Sequence, residues 1–274
     1  MTNVDERVEI LESEYQRLET FLDRLTTEEW KRPSACEGWQ VRDVVAHLEW
    51  NARLYRGAID LGLRGELPPP DPGRLAGGGA EYVAERAVAS REKLGDQLLD
   101  AFIERNRGII TLFQGLDPVK WDTPCPFVGR VVPLRYFVDL RIAEVGIHSW
   151  DIRSPFDGNA RLLNGSALLT LELLLGLVER VVRPDDQGPD PLRFRFEVAG
   201  SELEPFDIAV EAGRASHQPP GAAAPAATFR GDANSFALAF YGRLSLDRAA
   251  RAGRVEVTGD PALASAFSGW CRGI

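Results

Sequence analysis

Leu134-Arg-Tyr-Phe-Val-Asp-Leu-Arg-Ile-Ala-Glu-Val-Gly-Ile-His-Ser-Trp-Asp-Ile152 is the stretch that decides the fold. It follows Pro133, runs to about Pro155, and is apolar around most of a helical circumference: Leu134, Phe137, Val138, Leu140, Ile142, Val145, Ile147, Trp150 and Ile152. Residues three and four apart share a helix face. Arg141, Glu144, His148 and Asp151 therefore form one polar stripe on a helix that is otherwise a core element. A helix that is apolar nearly all round is buried among other helices, so the stretch predicts a helical bundle.

The flanking sequence supplies the neighbours. Val4, Val8, Leu11, Tyr15, Leu18, Leu22 and Leu25 alternate steps of four and three, an amphipathic helix. A second helix is expected from about Val41 to Leu61, and a third, long one over Ala80 to Leu116, with Val83, Ala87, Leu94, Leu98, Phe102, Ile109 and Phe113 inward. Between them the Pro68-Pro-Pro-Asp-Pro-Gly and Gly77-Gly-Gly runs cannot be helix. A leucine-rich fifth helix is expected over Asn164 to Val182. Leu25, Trp30 and Pro33 are spaced like Leu116, Trp121 and Pro124, with Cys36 and Cys125 following, which suggests two similar helix-loop-helix halves.

Behind the linker-like Arg183-Pro-Asp-Asp-Gln-Gly-Pro-Asp-Pro the period changes to two. Leu192, Phe194, Phe196 and Val198 alternate with Arg193, Arg195 and Glu197, a half-buried strand. Further strands are expected at Phe206–Val210, Thr228–Arg230 and Val255–Val257, with Gly213 to Ala226 a low-complexity loop. Helices are expected at about Asn234–Leu244 and after Pro261, where Asp260 is placed to cap. The fold class is α+β: a helical bundle over residues 1–182 and a small α+β domain over 192–274.

Composition narrows the function classes. Of 274 residues 44% are hydrophobic and 27% charged, and the net charge is −9. These are values of an ordinary globular chain with no nucleic-acid footprint. No stretch reaches the roughly 18 uncharged apolar residues of a membrane span. The acidic opening, Met1-Thr-Asn-Val-Asp-Glu-Arg, has no apolar core of a secretory signal, so a cytoplasmic location is expected. Cys36, Cys125 and Cys271 form no CxxC pair and read as reduced thiols.

The chemistry lies with the histidines, of which there are three. Ionised Glu144 needs a partner if buried. Arg141 is one candidate, although acid following base on a helix is worth only a few tenths of a kcal/mol; a metal ion shared with His148 is another. His47, in Val44-Val-Ala-His-Leu, reads either as a satisfied core imidazole or as a further ligand. Two histidines and a glutamate are a usual set for open catalytic zinc, and bundles place such sites between facing helices. His217, beside Pro219-Pro, reads as a solvated loop residue, and Asp43 as first-turn support for its helix. Asp151, three residues from His148, reads either as the acceptor of its second N–H or as a surface charge.

Leu25-Thr-Thr-Glu-Glu-Trp30, Pro33-Ser-Ala-Cys-Glu-Gly-Trp39 and Val41-Arg-Asp-Val-Val-Ala-His47-Leu resemble the opening of the mycothiol-dependent maleylpyruvate isomerase family. Arg141-Ile-Ala-Glu-Val-Gly-Ile-His-Ser-Trp-Asp151 resembles its second metal-binding helix. Phe240-Tyr-Gly-Arg243 with Val255-Glu-Val-Thr-Gly-Asp-Pro-Ala-Leu263 resembles its C-terminal domain. The resemblance implies a DinB-like four-helix bundle and a sterol-carrier-like C-terminal domain. It implies a divalent metal, usually zinc, held by His47, Glu144 and His148, and mycothiol, the low-molecular-weight thiol of actinobacteria, as cosubstrate. It implies a catalytic arginine at Arg243, with Arg141 able to do similar work or to pair with Glu144. The expected activity is cis-trans isomerisation of, or S-transfer to, a small electrophile, by a monomer or homodimer. The alternatives are a metal- or thiol-binding protein without turnover, and a metal-dependent hydrolase using the same open position.

Overall fold

The computed structural model describes residues 3–68, 79–185 and 191–273. Contacts divide it into Met1–Ser166 and Ala167–Ile274. The first unit thus closes inside the expected fifth helix, short of residue 182. The Pro68 to Gly79 connection lies largely outside the described residues, as does most of the linker after Asp185.

In the first unit, α1 (Val4–Leu22) starts at an Asn3–Glu6 capping box and buries Val8, Leu11, Tyr15, Leu18 and Leu22. A short α2 (Thr27–Trp30) leads to α3 (Val41–Leu63). The expected long third helix is two: α4 (Ala80–Leu94) and α5 (Leu98–Gln114), joined by a 3-10 turn, Gly95–Gln97. Gly95 adopts φ +51°, which glycine tolerates and which ends α4. The apolar stripe also proves unequal. Leu98, Phe102, Ile109 and Phe113 are buried on α5, whereas of the α4 members only Ala87 is. The decisive stretch forms α6 (Tyr136–Arg153), which buries nearly its whole circumference. It packs on α1 and α3, and α3 also packs on α4 and α5.

The two inter-helix connections share more than spacing. Trp30 ends α2 and Trp121 caps a 3-10 turn, Pro118–Lys120. After the first, Pro33 bridges Gln40 in antiparallel fashion. After the second, β1 (Pro124–Phe127) and β2 (Arg130–Pro133), unforeseen in the sequence, pair from Pro124↔Pro133 to Phe127↔Arg130. Gly62 of α3 faces this hairpin, and a Cβ there would meet the Cys125 Sγ at 2.3 Å.

The fifth helix crosses into the second unit as α7 (Asn164–Leu175), interrupted at Gly176, then α8 (Val178–Val181). The second unit carries a five-stranded sheet of β3 (Leu192–Val198), β4 (Phe206–Glu211), β5 (Arg214–Gln218), β6 (Ala227–Gly231) and β7 (Val255–Gly259), ordered β5-β4-β3-β6-β7. Only β3 and β6 run parallel. Helices α9 (Ala233–Phe240), α10 (Leu246–Arg251) and α11 (Pro261–Trp270) complete it, and Asp260 caps α11 by accepting from the Ala262 and Leu263 N–H groups. The expected Gly213–Ala226 loop contains edge strand β5. His217 is exposed, as expected, but it lies on that strand and not in a loop, with its ring edge-on to Phe206 at 5.3 Å. Register places Phe196 between Phe206 and Phe229, and all three rings stack, at 5.3 and 5.0 Å.

Together these give an α+β protein: helical bundle first, small α+β layer second.

Candidate metal centre

His47 lies in the second turn of α3, whereas Glu144 lies at the middle of α6 and His148 one turn further on. Contacts step in opposite directions along the two helices, His47 to Glu144 and Asn51 to Arg141, so they run antiparallel. The α3 end is well tied. The Asp43 carboxylate accepts from the Gln40 N–H at 2.9 Å and pairs with Arg91 of α4. The loop before it is held to α6 by the Ala35 N–H donating to the Asp151 carbonyl at 2.9 Å.

Glu144 is the hub. Its Oε2 is 3.0 Å from the His47 Nε2 and 3.5 Å from the His148 Nε2. One donor atom from each of the three side chains falls within 4.8 Å of the others, and among the described residues no other trio of His, Cys, Asp or Glu does so. Donors about 2.0–2.1 Å from a tetrahedral zinc ion stand roughly 3.3 Å apart, so these separations bracket the edge of that polyhedron. The residues present fit a cation.

The two imidazoles differ in what stands behind them. His148 Nδ1 is 2.9 Å from the Oδ2 of Asp151, which is fully buried. In the Nδ1–H tautomer His148 donates to this carboxylate and presents Nε2 on the Glu144 side. His47 Nδ1 is buried without a hydrogen-bond partner. Its ring is instead walled by the half-buried indoles of Trp39 (5.5 Å, edge-on) and Trp50 (6.3 Å), and by His148 (4.8 Å).

Burial pushes the Glu144 carboxyl up. The hydrogen bond to His47 and the charges of His47, His148 and Arg141 more than reverse this, to about 2. Burial, the largest influence on His47, holds it below the ordinary imidazole value of 6.5 against the opposing pull of Glu144. Near neutral pH Glu144 is therefore an anion, and in the absence of a cation it accepts the His47 Nε2–H.

Arg141 is placed otherwise than as a surface ion pair. It has no exposed surface, and its two terminal nitrogens donate to Asn51 Oδ1 at 2.5 Å and Asn106 Oδ1 at 2.6 Å. No hydrogen bond joins it to Glu144, and its Nε has no partner. In this structure its two terminal nitrogens are taken up by asparagines, neither by Glu144 nor by an open surface. Asn51 and Asn106 were not singled out. The signals were present: Asn51 stands four residues after His47 on the same face, and Asn106 interrupts an apolar stripe. Arg243 belongs to the second unit. Its N–H bonds to the Leu238 carbonyl at 2.8 Å as α9 ends, Gly242 takes φ +76°, and its half-buried guanidinium lies 5.4 Å from the Tyr241 ring centre. All three cysteines are free thiols. No helix among the described residues is long and apolar enough to cross a membrane.

Comparison with known proteins follows the same outline. Crystal structures of a mycothiol-dependent maleylpyruvate isomerase superpose on this chain at 16% identity. An H52A mutant covers 94% of this chain and 93% of its own at a TM-score of 0.64; a second structure covers 88% and 90% at 0.62. They show the fold. A UbiJ-SCP2 ubiquinone synthesis protein covers 38% of this chain at 17% identity and a TM-score of 0.30, too low to argue from. No curated protein matches by sequence. The model of the mycothiol maleylpyruvate isomerase N-terminal domain matches residues 11–153 and that of the MDMPI C-terminal domain residues 169–266, so the chain belongs to the mycothiol-dependent maleylpyruvate isomerase family.

Proposed function

We propose that this chain is a metal-dependent enzyme that uses mycothiol to isomerise a small electrophilic substrate, or to transfer sulfur to it, in the manner of a maleylpyruvate isomerase. The observation that carries the reading is the convergence of His47, Glu144 and His148 within 4.8 Å on two helices. A divalent cation there, zinc in the first instance, supplies an open position at which a thiol is held as thiolate, whereas free thiol is only a few per cent ionised at neutral pH.

The chain's own groups prepare that position. Glu144, His47 and His148 offer three donors and leave a corner free. Asp151, accepting an Nδ1–H at 2.9 Å, would select the His148 tautomer whose Nε2 can bind a cation. Trp39 and Trp50 cover the His47 ring, which is 6% exposed, and limit water around it. In the isomerase reaction the sulfur adds to the activated double bond of a cis-enone diacid; rotation and expulsion return the trans isomer and the free thiol. We assign recognition of a substrate carboxylate to Arg243, whose planar fork suits one.

The test is metal analysis of the purified protein, followed by turnover of maleylpyruvate and other electrophiles with mycothiol. About one equivalent of metal and thiol-dependent turnover are expected, both lost in alanine variants of His47, Glu144 or His148. Metal binding with water-dependent cleavage and no thiol affinity would mean a hydrolase. Thiol binding without turnover of any electrophile would mean a binding protein.

A further inference from the structure

The placement of Arg141 poses a physical problem. A fully buried cation is costly unless compensated, several kcal/mol even after relaxation. Both hydrogen-bond acceptors of Arg141 are neutral amides, and its Nε is unpartnered. The Tyr55 ring centre lies 5.9 Å from its guanidinium carbon, and the nearby anion that favours its charge is Glu144, itself a candidate ligand. Yet the residue stands one turn before Glu144 on α6, while its acceptor Asn51 stands one turn after His47 on α3. A cation fixed one helical turn from a cation site weakens that site's hold on the metal. The arrangement makes sense if what it favours is the remaining ligand.

The charge of Arg141 shows which ligand. Arg141 is a fixed positive charge one turn from Glu144, inside the helical unit. It stabilises an anion at the remaining position and does little for a neutral ligand. Without Arg141 that preference is lost. In a low-dielectric interior such differences are large.

We propose that Arg141 is a positioning residue which, held by Asn51 and Asn106, biases the open corner of the His47–Glu144–His148 site toward an anion over a neutral ligand. The inference rests on the metal reading above and specifies which form of a thiol the site takes. A purely structural Arg141 would tie α3, α5 and α6 together and nothing more.

The two roles differ in sign. Wild type, Arg141→Gln and Arg141→Lys are loaded with cobalt(II), whose visible absorption reports ligand exchange. Each is titrated with azide, an anion, and with imidazole, a neutral ligand, at one pH and ionic strength. Cobalt affinity is measured by chelator competition. For Arg141→Gln, azide binding weakens roughly tenfold relative to imidazole, the size expected of one unit charge nearby at the effective dielectric of a protein interior, while cobalt affinity holds or rises. Arg141→Lys keeps the anion preference of wild type. An unchanged azide-to-imidazole ratio in Arg141→Gln overturns the proposal, as does loss of cobalt with both ligands weakened alike. Should Arg141→Gln not fold, loss of anion preference in Arg141→Lys, with its charge retained, also overturns it. A wild-type protein that binds no cobalt defeats the metal reading itself, a result distinct from these.

Discussion

The interior of residues 1–166 holds Glu14, Asp43, His47, Glu49, Asn51, Asn106, Arg141, His148, Asp151 and Arg153, all nearly or wholly buried. The interior of residues 167–274 is built from Phe194, Phe196, Phe206, Phe229, Phe236, Phe240 and Phe267, with Asp207 the one buried charged side chain among the described residues. Both units bury enough apolar surface to fold. Only the first also desolvates several charges at once, an arrangement that costs stability unless the groups satisfy one another or a ligand. The difference sets the candidate metal centre in the helical unit and assigns the aromatic core of the sheet unit to stability.

The largest expected effect tests the first half of that contrast. Glu144→Ala or His148→Ala removes a donor from the trio, and metal content falls from about one equivalent toward none by elemental analysis. Phe196→Ala tests the second half. It empties the centre of the stacked phenylalanines and destabilises by about 3–5 kcal/mol, read by chemical denaturation, while metal content per folded molecule is unchanged. If that variant loses metal in the folded state, the division of labour is wrong.

Asp151→Asn is subtler. It keeps the shape but weakens the acceptor behind His148, and metal affinity drops roughly 10- to 100-fold in a chelator competition. Asp207→Asn, which disturbs the sheet unit's carboxylate among Arg193, Arg195 and the Gly221 N–H, leaves metal affinity untouched.

Acidification distinguishes the units as well. His47 is held below 6.5 in the fold, chiefly by burial, and Glu144 is lowered from 4.5 to about 2. The folded metal-free protein therefore binds these protons less readily than the unfolded chain. Stability present above pH 6.5 declines as the pH falls below it, with a further loss below 4.5 from Glu144. Thermal melts of metal-free protein from pH 7.5 to 5 are expected to show a falling Tm, and a flatter profile for His47→Gln. The smallest effect concerns the thiols. Burial pushes Cys125 up to about 11 and Cys271 up to about 12, so both are alkylated slowly by iodoacetamide at pH 8 in native protein and fast once it is unfolded.

The shared face of Glu144, His148 and Asp151 was legible because helical periodicity is strong where a helix is long and buried, whereas His47, open to two readings, joined them only through the family resemblance. The spacing of Glu144 and His148 puts them on one face whatever surrounds them, and Asp151 follows on the same face. Elements whose hydrogen bonds come from distant strands were harder to read. The β1–β2 hairpin looks like connecting loop, because its Pro and Gly residues suit either. β5, hidden in alanine- and proline-rich sequence, exists because β4 offers it an edge. The break at Gly95 was missed because the apolar stripe continues in register across it. The pairing of His47 with Glu144 across 97 positions has no local signature at all.

By itself, the sequence determined the order of helices and strands, the α+β class and the candidate ligands, since these depend on periodicity and residue chemistry within a few turns of chain. Tertiary structure alone decided that Arg141 turns to two asparagines instead of Glu144, that His148 is backed by a carboxylate while His47 faces indoles, and that Oε2 of Glu144 stands between two imidazole nitrogens. Those outcomes turn on which groups from separate helices share a desolvated volume, and neither spacing nor composition encodes that distance.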